Sequence, residues 1–328
     1  MPQQLSILSF MQASEANEPS SKNKECFVVD LFCGAGGFSA GAAMAGAKII
    51  YACDVDEQAL QVHKLNHPET QHVCQSLPAM NIPFPTDGRQ WHLHSSPPCQ
   101  KLSVANNTHR KEGDREDALA LVEWCIYTAL VSGCQTWSLE QVSSKLVIQL
   151  LDFYRKQHPN RVAYCVFEFS ELGVPQTRRR IIAGTPWVVA SLMRMRKTTK
   201  SVGIRDVIEK PRGDFIRDGS YTGKKRERRA FSAGPRGIVN MRANWRDHCR
   251  SVEKASYTVL ANRGHTWVTF PQSGECVHTR LDTHEYAALQ TFPPDYIFPR
   301  NRALCQRLIG NAIPCLVAKL IMQIVMNG

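Results

Sequence analysis

The sequence predicts an α/β fold built on a parallel sheet, followed by a region of different composition. Strand-like apolar runs alternate with helix-like segments from Cys26 to about residue 186, as expected for parallel strands joined by crossover helices. After Trp187 this regularity fades, and arginine, lysine, glycine and proline become frequent. The chain has 328 residues, which is enough for one large domain or for two.

Four elements begin the pattern. Cys26–Phe32 is a short β-rich run in which Asp30 is the only polar residue. A glycine-rich turn leads into a helix of small residues at Phe38–Gly46, and a second strand, Lys48–Cys53, precedes a helix at Glu57–Asn66. This succession of strand, helix, strand and helix favours a parallel sheet.

The alternation continues beyond these elements, and helices return near the C-terminus. The further predicted strands are Trp91–Ser95, Thr136–Val142, Arg161–Phe169 and Arg180–Ala183. The further predicted helices are Asp117–Val131, Lys145–Lys156, His284–Gln290 and one from Cys305 to the end. These segments supply enough strands and helices for a sheet that is covered on both faces.

The net charge of +11 is concentrated in one window. Residues 194–250 contain 17 Lys or Arg and 6 Asp or Glu, so this window holds the whole excess. Concentrated positive charge favours a polyanionic partner such as nucleic acid, although a solvated basic face would give the same count.

The remaining composition argues against several classes of protein. No uninterrupted apolar run reaches the length of about 18 residues that a transmembrane helix needs, and the N-terminus lacks the pattern of a secretory signal. The twelve cysteines include no CxxC pair. We therefore expect reduced thiols in an intracellular protein, and no zinc site.

Residues 30–37 (DLFCGAGG) lead from the first strand into a GxGG turn. Glycines there let the backbone approach a nucleotide-like cofactor, and the helix that follows offers free N–H groups. Asp54 ends the second strand, where a carboxylate can accept hydrogen bonds from ribose hydroxyls. A glycine turn without a cofactor is the alternative, and the spacing departs from the GxGxxG of dinucleotide sites.

Reactive side chains follow later strands. Cys99 comes after two prolines on a stiff backbone, and its thiolate is a nucleophile where positive charge such as Lys101 lies near. Glu140 ends a predicted strand and can act as an acid or hydrogen-bond donor. Arg178 and Arg180 alternate along the chain, so both can address one anion or carboxylate.

The order of these motifs is more specific than any one of them, and the chain resembles the DNA (cytosine-5) methyltransferases. The matching segments are DLFCGAGGFSAG (30–41), SPPCQ (96–100), EQV (140–142), VPQTRRRIIAGTP (174–186), RLDTHEYAALQTFP (280–293) and IGNAIP (309–314). The basic window stands where this family keeps its variable target-recognition region.

The resemblance implies an S-adenosylmethionine-dependent methyltransferase fold, in which a doubly wound, mostly parallel sheet is accompanied by a second, smaller target-recognition domain. It also implies methyl transfer to C5 of a cytosine flipped out of double-stranded DNA. It implies that Cys99 adds to C6, that Glu140 bonds the N3 edge, and that Arg178 and Arg180 fix the base and the catalytic loop. The cofactor would be bound by Phe32, Gly34, Ala35, Gly36, Gly37, Asp54, Val55, Gln75, Pro98 and Asn311. DNA would be contacted by Gln100, Lys101, Ser103, Gln176, Lys224, Lys225, Arg226, Arg228 and Arg229.

The sequence departs from the family at three places. Gln141 replaces the asparagine of Glu-Asn-Val, Lys101 and Leu102 replace Gly-Phe, and Gln75 is the candidate substitute for an acidic residue that contacts adenine. Two alternatives stay open: an RNA methyltransferase with the same chemistry, and a weak or inactive DNA-binding relative. The Cys-Phe-Thr element typical of the RNA-acting branch is absent from the sequence.

We expect a flexible tail at 1–25, a catalytic methyltransferase domain at 26–186, a target-recognition domain at 187–279, a hinge at 280–304 and a C-terminal helix at 305–328 that completes the catalytic domain. The resemblance further suggests restriction-modification. We expect a cytoplasmic monomer, or a nuclear one in a eukaryotic host, with no metal and no membrane contact.

Overall fold

The structure is a computed structural model that describes residues 25–79, 81–100, 102, 113–196, 198–208, 215–216, 236–240, 249–261, 265–269 and 277–328. Its larger sheet has seven strands in the order β3-β2-β1-β4-β5-β8-β6. These strands are β1 (Phe27–Leu31), β2 (Lys48–Asp54), β3 (Gln71–Cys74), β4 (Trp91–Ser95), β5 (Thr136–Val142), β6 (Ala163–Glu168) and β8 (Arg179–Gly184).

The strand order predicts a ligand site at the middle of this sheet. The strands pair in parallel except for β8, which runs antiparallel to β5 and β6. From β1 the chain winds outwards in two directions, first to β2 and β3 and then to β4 and β5. In such sheets ligands bind outside the carboxyl ends of the strands at this change of direction. The predicted doubly wound, mostly parallel fold is confirmed.

Helices cover both faces of the sheet. They are α1 (Gly37–Met44), α2 (Glu57–Asn66), α3 (Asp114–Val131), α4 (Lys145–Gln157), α5 (Pro186–Met195), α6 (Thr283–Ala288), α7 (Arg302–Asn311) and α8 (Cys315–Asn327). Val29 of β1 lies in one core with Ile126 of α3, whereas Val28 lies in another with Val317 of α8. Alternate residues of β1 therefore enter opposite cores, as the two-residue period of a strand requires.

The C-terminal segment differs from the prediction of one helix from Cys305 onwards. It forms two helices, α7 and α8, with a break between Asn311 and Cys315. Pro314 explains the break, because its ring disfavours helical backbone at the preceding residue and it has no amide hydrogen to donate. Within the described chain, Arg302–Asn327 is long and apolar enough to cross a membrane, but most of its apolar window is buried, as in a core helix of a soluble protein.

A second, antiparallel sheet of five strands follows, in the order β11-β10-β13-β14-β9. Its strands are β9 (Phe215–Ile216), β10 (Arg236–Asn240), β11 (Cys249–Ser251), β13 (His265–Thr269) and β14 (Val277–Arg280). A short parallel pair, β7 (Gln176–Thr177) with β12 (Ser256–Tyr257), joins the segment before β8 to the segment after β11.

The helix at residue 186, the predicted domain boundary, packs with the larger sheet. Helix α5 begins at that residue, and its side chains Val188 and Leu192 are buried in one core with Phe167 of β6 and Val317 of α8. The apolar face of α5 thus completes the larger sheet rather than the second one.

Helices α1 and α8 approach each other closely at Gly41. A Cβ atom on Gly41 would lie 2.1 Å from the carbonyl oxygen of Cys315, which is backbone and cannot rotate away. Gly-to-Ala exchange normally stabilises a helix by about 0.5–1 kcal/mol. We expect Gly41→Ala instead to lower the free energy of unfolding by about 1–3 kcal/mol in urea titrations. Ala43→Ser, at an exposed position of the same helix, should stay within about 0.5 kcal/mol of the original chain. Equal urea midpoints for Gly41→Ala and Ala43→Ser would contradict the close packing of α1 against α8.

Candidate active site

A glycine-rich turn follows β1 at the ligand edge of the sheet. Phe32, Gly34 and Gly36 have positive φ angles of 58°, 53° and 90°, a region that glycine adopts freely and other residues rarely do. A Cβ atom on Gly34 would have no atom of the described residues within 4 Å. The turn therefore leaves open space directly in front of its backbone.

Asp54 connects this turn to the end of β2. Its Oδ2 accepts a hydrogen bond from the amide of Gly34 at 2.8 Å, and its Oδ1 accepts one from the amide of Asp56 at 2.9 Å. Burial raises the pKa of Asp54, and these amide hydrogen bonds oppose the rise. Val55 beside it is 67% exposed, so an apolar side chain stands at the rim of the open space.

These residues fit a nucleoside-like cofactor. Gly36 precedes α1 and adds no side-chain hydrogen bond to its first amides, so the helix start can receive polar ligand groups. Gln75 lies at the same rim. Its backbone N–H donates to the carbonyl of Asp54 at 3.1 Å, and its side-chain Nε2 donates to the hydroxyl of Tyr51 at 3.3 Å. The pocket thus offers backbone amides, a carboxylate and an apolar surface together.

The loop that carries Cys99 follows β4 and is braced by Gln141 of β5. The buried Gln141 donates from Nε2 to the carbonyl of Pro97 at 3.0 Å, and its Oε1 accepts from the amide of Val142 at 2.7 Å. Beyond the cysteine, the amide of Leu102 donates to the carbonyl of Cys99 at 3.1 Å. The backbone is therefore held on both sides of the thiol.

Glu140 and two arginines form a nearly buried charge cluster at this edge. The Oε1 atom of Glu140 lies 2.9 Å from Nε of Arg180 and 4.0 Å from Nε of Arg178. None of these three atoms has a hydrogen-bond partner of suitable geometry within the described residues, so the contacts are ion pairs. The oxygen and the Arg180 nitrogen retain hydrogen-bonding capacity that a substrate could use.

The same cluster acts on the Cys99 thiol. Burial raises the pKa of Cys99, Arg180 opposes that rise, Glu140 adds to it, and Arg178 again opposes it. Burial and the neighbouring Arg180 lower the pKa of Arg178 to about 10. A partly buried thiol, a carboxylate and two guanidinium groups therefore interact at the carboxyl ends of β4 and β5, where a nucleophile and an acid can act on one substrate.

Comparison with known proteins identifies the family. A sequence model of the C-5 cytosine-specific DNA methylases matches residues 27–125 and 160–327, which is most of the chain. The chain belongs to the C-5 cytosine-specific DNA methylase family.

Named relatives of this methylase are Type II methyltransferases. It is 26% identical to M.HgiDI of Herpetosiphon aurantiacus, over 87% of this chain and 89% of that protein. It is 24% identical to M.HindV of Haemophilus influenzae, over 91% of this chain and 96% of that protein. The family match makes the protein a DNA (cytosine-5) methyltransferase.

Solved structures agree with the fold. A DNA modification methyltransferase encoded within a prophage (E. coli) covers 92% of the methylase and 99% of its own chain, with a TM-score of 0.63 and 18% identity. The structure of a Spodoptera frugiperda DNMT2 mutant covers 92% of the methylase and 99% of its own chain, with a TM-score of 0.56 and 17% identity. At these identities the likeness concerns the fold.

The family match omits residues 126–159, which contain Glu140 and Gln141. The structure nevertheless places both side chains at the site. Gln141, one methylene longer than the family's asparagine, reaches the Pro97 carbonyl. The departure at residue 141 is therefore compatible with a braced Cys99 loop.

Shortening Gln141 tests this brace. We expect Gln141→Asn to lower the single-turnover methylation rate of the methylase about 10-fold or more, because the shorter amide cannot reach the Pro97 carbonyl and the loop loses its fixed position. Gln135→Asn is the matched control, since Gln135 also bonds backbone but at the start of β4, away from Cys99. A faster Gln141→Asn variant would show that the family's asparagine suits this loop better.

The structure places Gln176, a predicted DNA contact, inside the protein. Gln176 is buried, and its Nε2 donates to the carbonyl of Leu289 at 2.7 Å and to Oε1 of Gln290 at 2.6 Å. Its Oε1 accepts from the amide of Val259 at 3.0 Å. Both polar atoms are occupied inside the protein, so Gln176 connects β7 to the segments after β12 and α6.

Arg178 makes a similar internal connection beside the charge cluster. Its Nη1 donates to the carbonyls of Val259 and Gly310 at 3.1 and 3.2 Å. These bonds fix the guanidinium next to Glu140, whereas Arg180 is the closer partner of that carboxylate. Arg178 is thus placed to position Glu140, and Arg180 to act on it directly.

The other predicted cofactor residues differ in their surroundings. Ala35 is buried and its carbonyl accepts a hydrogen bond from the Tyr296 hydroxyl. A Cβ on Gly37 would lie 2.5 Å from the carbonyl of Ile313, so this glycine permits close packing against the chain just after Asn311. Asn311 itself is exposed, which leaves it accessible to a ligand near the turn.

The remaining predicted residues divide into exposed ones and ones outside the described chain. Pro98 and Gln100 are exposed on either side of Cys99. Seven predicted DNA contacts lie outside the described residues: Lys101, Ser103, Lys224, Lys225, Arg226, Arg228 and Arg229.

Sequence reasoning missed three groups that support the site. Tyr296 reaches the glycine turn, and Arg307 of α7 pairs with Asp56 after β2; neither has a sequence signal, because each is far from its partner along the chain. His92 and His94 are buried in β4, and their two-residue spacing could have placed both on one face.

The described part of the chain shows no group of three or more His, Cys, Asp or Glu side chains that could hold a metal ion. Its cysteines whose side chains are described are free thiols.

Proposed function

We propose that the methylase takes its methyl group from S-adenosylmethionine bound between the glycine turn and the end of β2. The open space at Gly34 and the exposed Val55 support this position. Phe32, Gly34, Asp54, Val55 and Asn311 would hold the cofactor. Bound there, S-adenosylmethionine supplies an electrophilic methyl group.

We further propose that Cys99 is the nucleophile and that the substrate cytosine is flipped out of duplex DNA. The observation that carries this proposal is the meeting of Cys99, Glu140 and Arg180 at the sheet edge. A stacked cytosine cannot reach a partly buried thiol, so flipping is required, at a cost of a few kcal/mol. Phosphate contacts from the basic window 194–250 would offset this cost.

The chemistry follows from the weak nucleophilicity of cytosine C5. The Cys99 thiolate forms a bond to C6, and the displaced electron pair makes C5 nucleophilic while Glu140 donates a proton or a strong hydrogen bond at N3. C5 would then form a bond to the methyl carbon while the bond from that carbon to the donor sulfur breaks, which leaves a neutral thioether, and N3 would return its proton to Glu140. A base removes the C5 proton, the C5–C6 double bond reforms, and the bond between Sγ and C6 breaks. Arg180 favours the thiolate form of Cys99.

The proposed function is tested by base-resolution methylation sequencing. Unmethylated duplex DNA and an RNA of the same sequence are each incubated with the methylase and S-adenosylmethionine. We expect 5-methylcytosine in a fixed sequence context in the DNA and none in the RNA. Methylation of the RNA alone would show that RNA, and not DNA, is the substrate. Cofactor binding without methylation of either nucleic acid would indicate an inactive relative.

We propose that the protein acts as a cytoplasmic monomer, or in the nucleus of a eukaryotic host, without a metal ion. A large sheet, a second sheet and one cleft between them would suffice to enclose one flipped base.

A further inference from the structure

A line of buried polar side chains runs through the larger sheet and ends at the Cys99 loop. The His92 ring contacts Oγ1 of Thr136 at 2.9 Å through Nδ1 and Oγ of Ser138 at 2.8 Å through Nε2. The His94 ring contacts the same Ser138 oxygen at 2.8 Å through Nδ1 and Oγ of Ser96 at 2.7 Å through Nε2. Ser96 is three residues before Cys99. The line therefore ends within the loop that carries the thiol.

The hydrogen positions along this line are strongly restricted. Ser138 has one hydroxyl hydrogen but contacts two imidazole nitrogens, so it donates to one ring and accepts from the other. Burial lowers the pKa of His92 to about 3 and that of His94 well below its ordinary value, so each ring is neutral and has one N–H. All four contacts are satisfied only when every donor points the same way along the line. Either His94 donates to Ser96, or Ser96 donates to His94.

Phe38 connects the same histidine to the glycine turn. Its ring lies in the first turn of α1, immediately after Gly37, and stacks on His94 with centroids 3.6 Å apart and planes 4° apart. It also stacks on His92, with centroids 5.7 Å apart. His94 thus contacts the helix that follows the proposed cofactor turn and the loop that bears Cys99.

We propose that His94 is a positioning residue for methyl transfer: through Ser96 it fixes the start of the Cys99 loop relative to the glycine turn. Gln141 fixes the next residue, Pro97, from β5. Two consecutive loop residues are then held from two strands. This proposal rests on Cys99 being the nucleophile, as proposed above.

Ser96→Ala tests the proposal with little risk to folding, because Ser96 is only half-buried and loses one oxygen atom. We expect its single-turnover methylation rate to fall about 10- to 100-fold, while the dissociation constants for DNA and S-adenosylmethionine and the melting temperature stay unchanged. The matched control is Thr70→Val, which removes a buried hydroxyl bonded to the carbonyl of Ile49 and should keep the original rate.

Substitutions at the histidine provide a second readout. His94→Gln keeps a hydrogen-bonding group near Ser96, and we expect it to retain much more activity than His94→Leu when both are folded. The positioning role of His94 would be overturned if Ser96→Ala methylated at the same single-turnover rate as the original protein. It would also be overturned if His94→Gln and His94→Leu methylated at equal rates. Cys99→Ser, assayed in parallel, separates this outcome from failure of the covalent mechanism, since methylation by that variant would refute the mechanism itself.

Discussion

Replacing Cys99 with serine is expected to lower the single-turnover methylation rate by about 10⁴-fold or more. A serine hydroxyl ionises far less readily than a thiol, so the bond to C6 does not form and C5 is never made nucleophilic. The variant should still bind S-adenosylmethionine with the original dissociation constant, because the proposed cofactor residues lie in the turn between β1 and α1, at the end of β2 and at the end of α7, away from residue 99 in the sequence. Rapid-quench transfer of labelled methyl groups and equilibrium titration measure the two quantities.

The matched control for this prediction is Cys74→Ser, which changes an exposed thiol on β3. It should leave the methylation rate unaltered. The original protein should also methylate faster as pH rises, because burial raises the pKa of Cys99 and the thiolate fraction grows towards that pKa. Activity retained by Cys99→Ser, or lost equally in Cys74→Ser, would contradict the assignment of the nucleophile.

Replacing Glu140 with glutamine is the second large-effect prediction. We expect the single-turnover rate to fall about 10²- to 10⁴-fold, because an amide cannot supply the proton that N3 takes up as the bond to C6 forms. Removal of the charge should have the opposite effect on Cys99. The Glu140 carboxylate raises the pKa of that thiol, so the variant should react faster with iodoacetamide at a given pH. A slower methylation rate with a more reactive thiol distinguishes a chemical role from general damage.

The control for Glu140 is Glu123→Gln, at an exposed bond to Tyr154 on the α3–α4 side of the molecule. This control should change neither the methylation rate nor the rate at which Cys99 reacts with iodoacetamide. Removing the Glu140 charge also leaves two nearly buried arginines without their anionic partner, which can cost about 3–5 kcal/mol of folding free energy. Both variants should therefore be assayed well below their melting temperatures. A Glu140→Gln variant with the original methylation rate would remove Glu140 from the mechanism.

The sequence predicted the first half of the larger sheet well because local periodicity determines it. β2, α2, β4 and β5 were predicted to within a residue, since apolar alternation and helix capping are local properties. The antiparallel insertion of β8 between β5 and β6 could not be predicted, because strand orientation depends on pairing between distant segments. The break before α8 was readable from Pro314, but apolar continuity favoured one helix instead.

The candidate active site likewise contains residues that local motifs identify and residues whose surroundings depend on distant parts of the chain. Ordered motifs identified Cys99, Glu140 and Arg180, and the structure places them at one edge of the sheet. Gln176 was assigned to DNA because it lies in a motif, yet its partners are 83 to 114 residues away along the chain and hold it inside the protein. Such long-range hydrogen bonds have no local pattern, so only the folded structure could reveal them.

The most direct test of the covalent mechanism is to trap its adduct. Duplex DNA that contains the identified recognition site, with 5-fluorocytosine in place of the target cytosine, is incubated with the protein and S-adenosylmethionine. Fluorine at C5 cannot leave as a proton does, so the bond between Sγ and C6 should persist. After digestion, mass spectrometry should find the nucleotide on Cys99 alone among the twelve cysteines. An adduct on another cysteine, or methylation of the unmodified site without any adduct from the fluorinated one, would contradict the account.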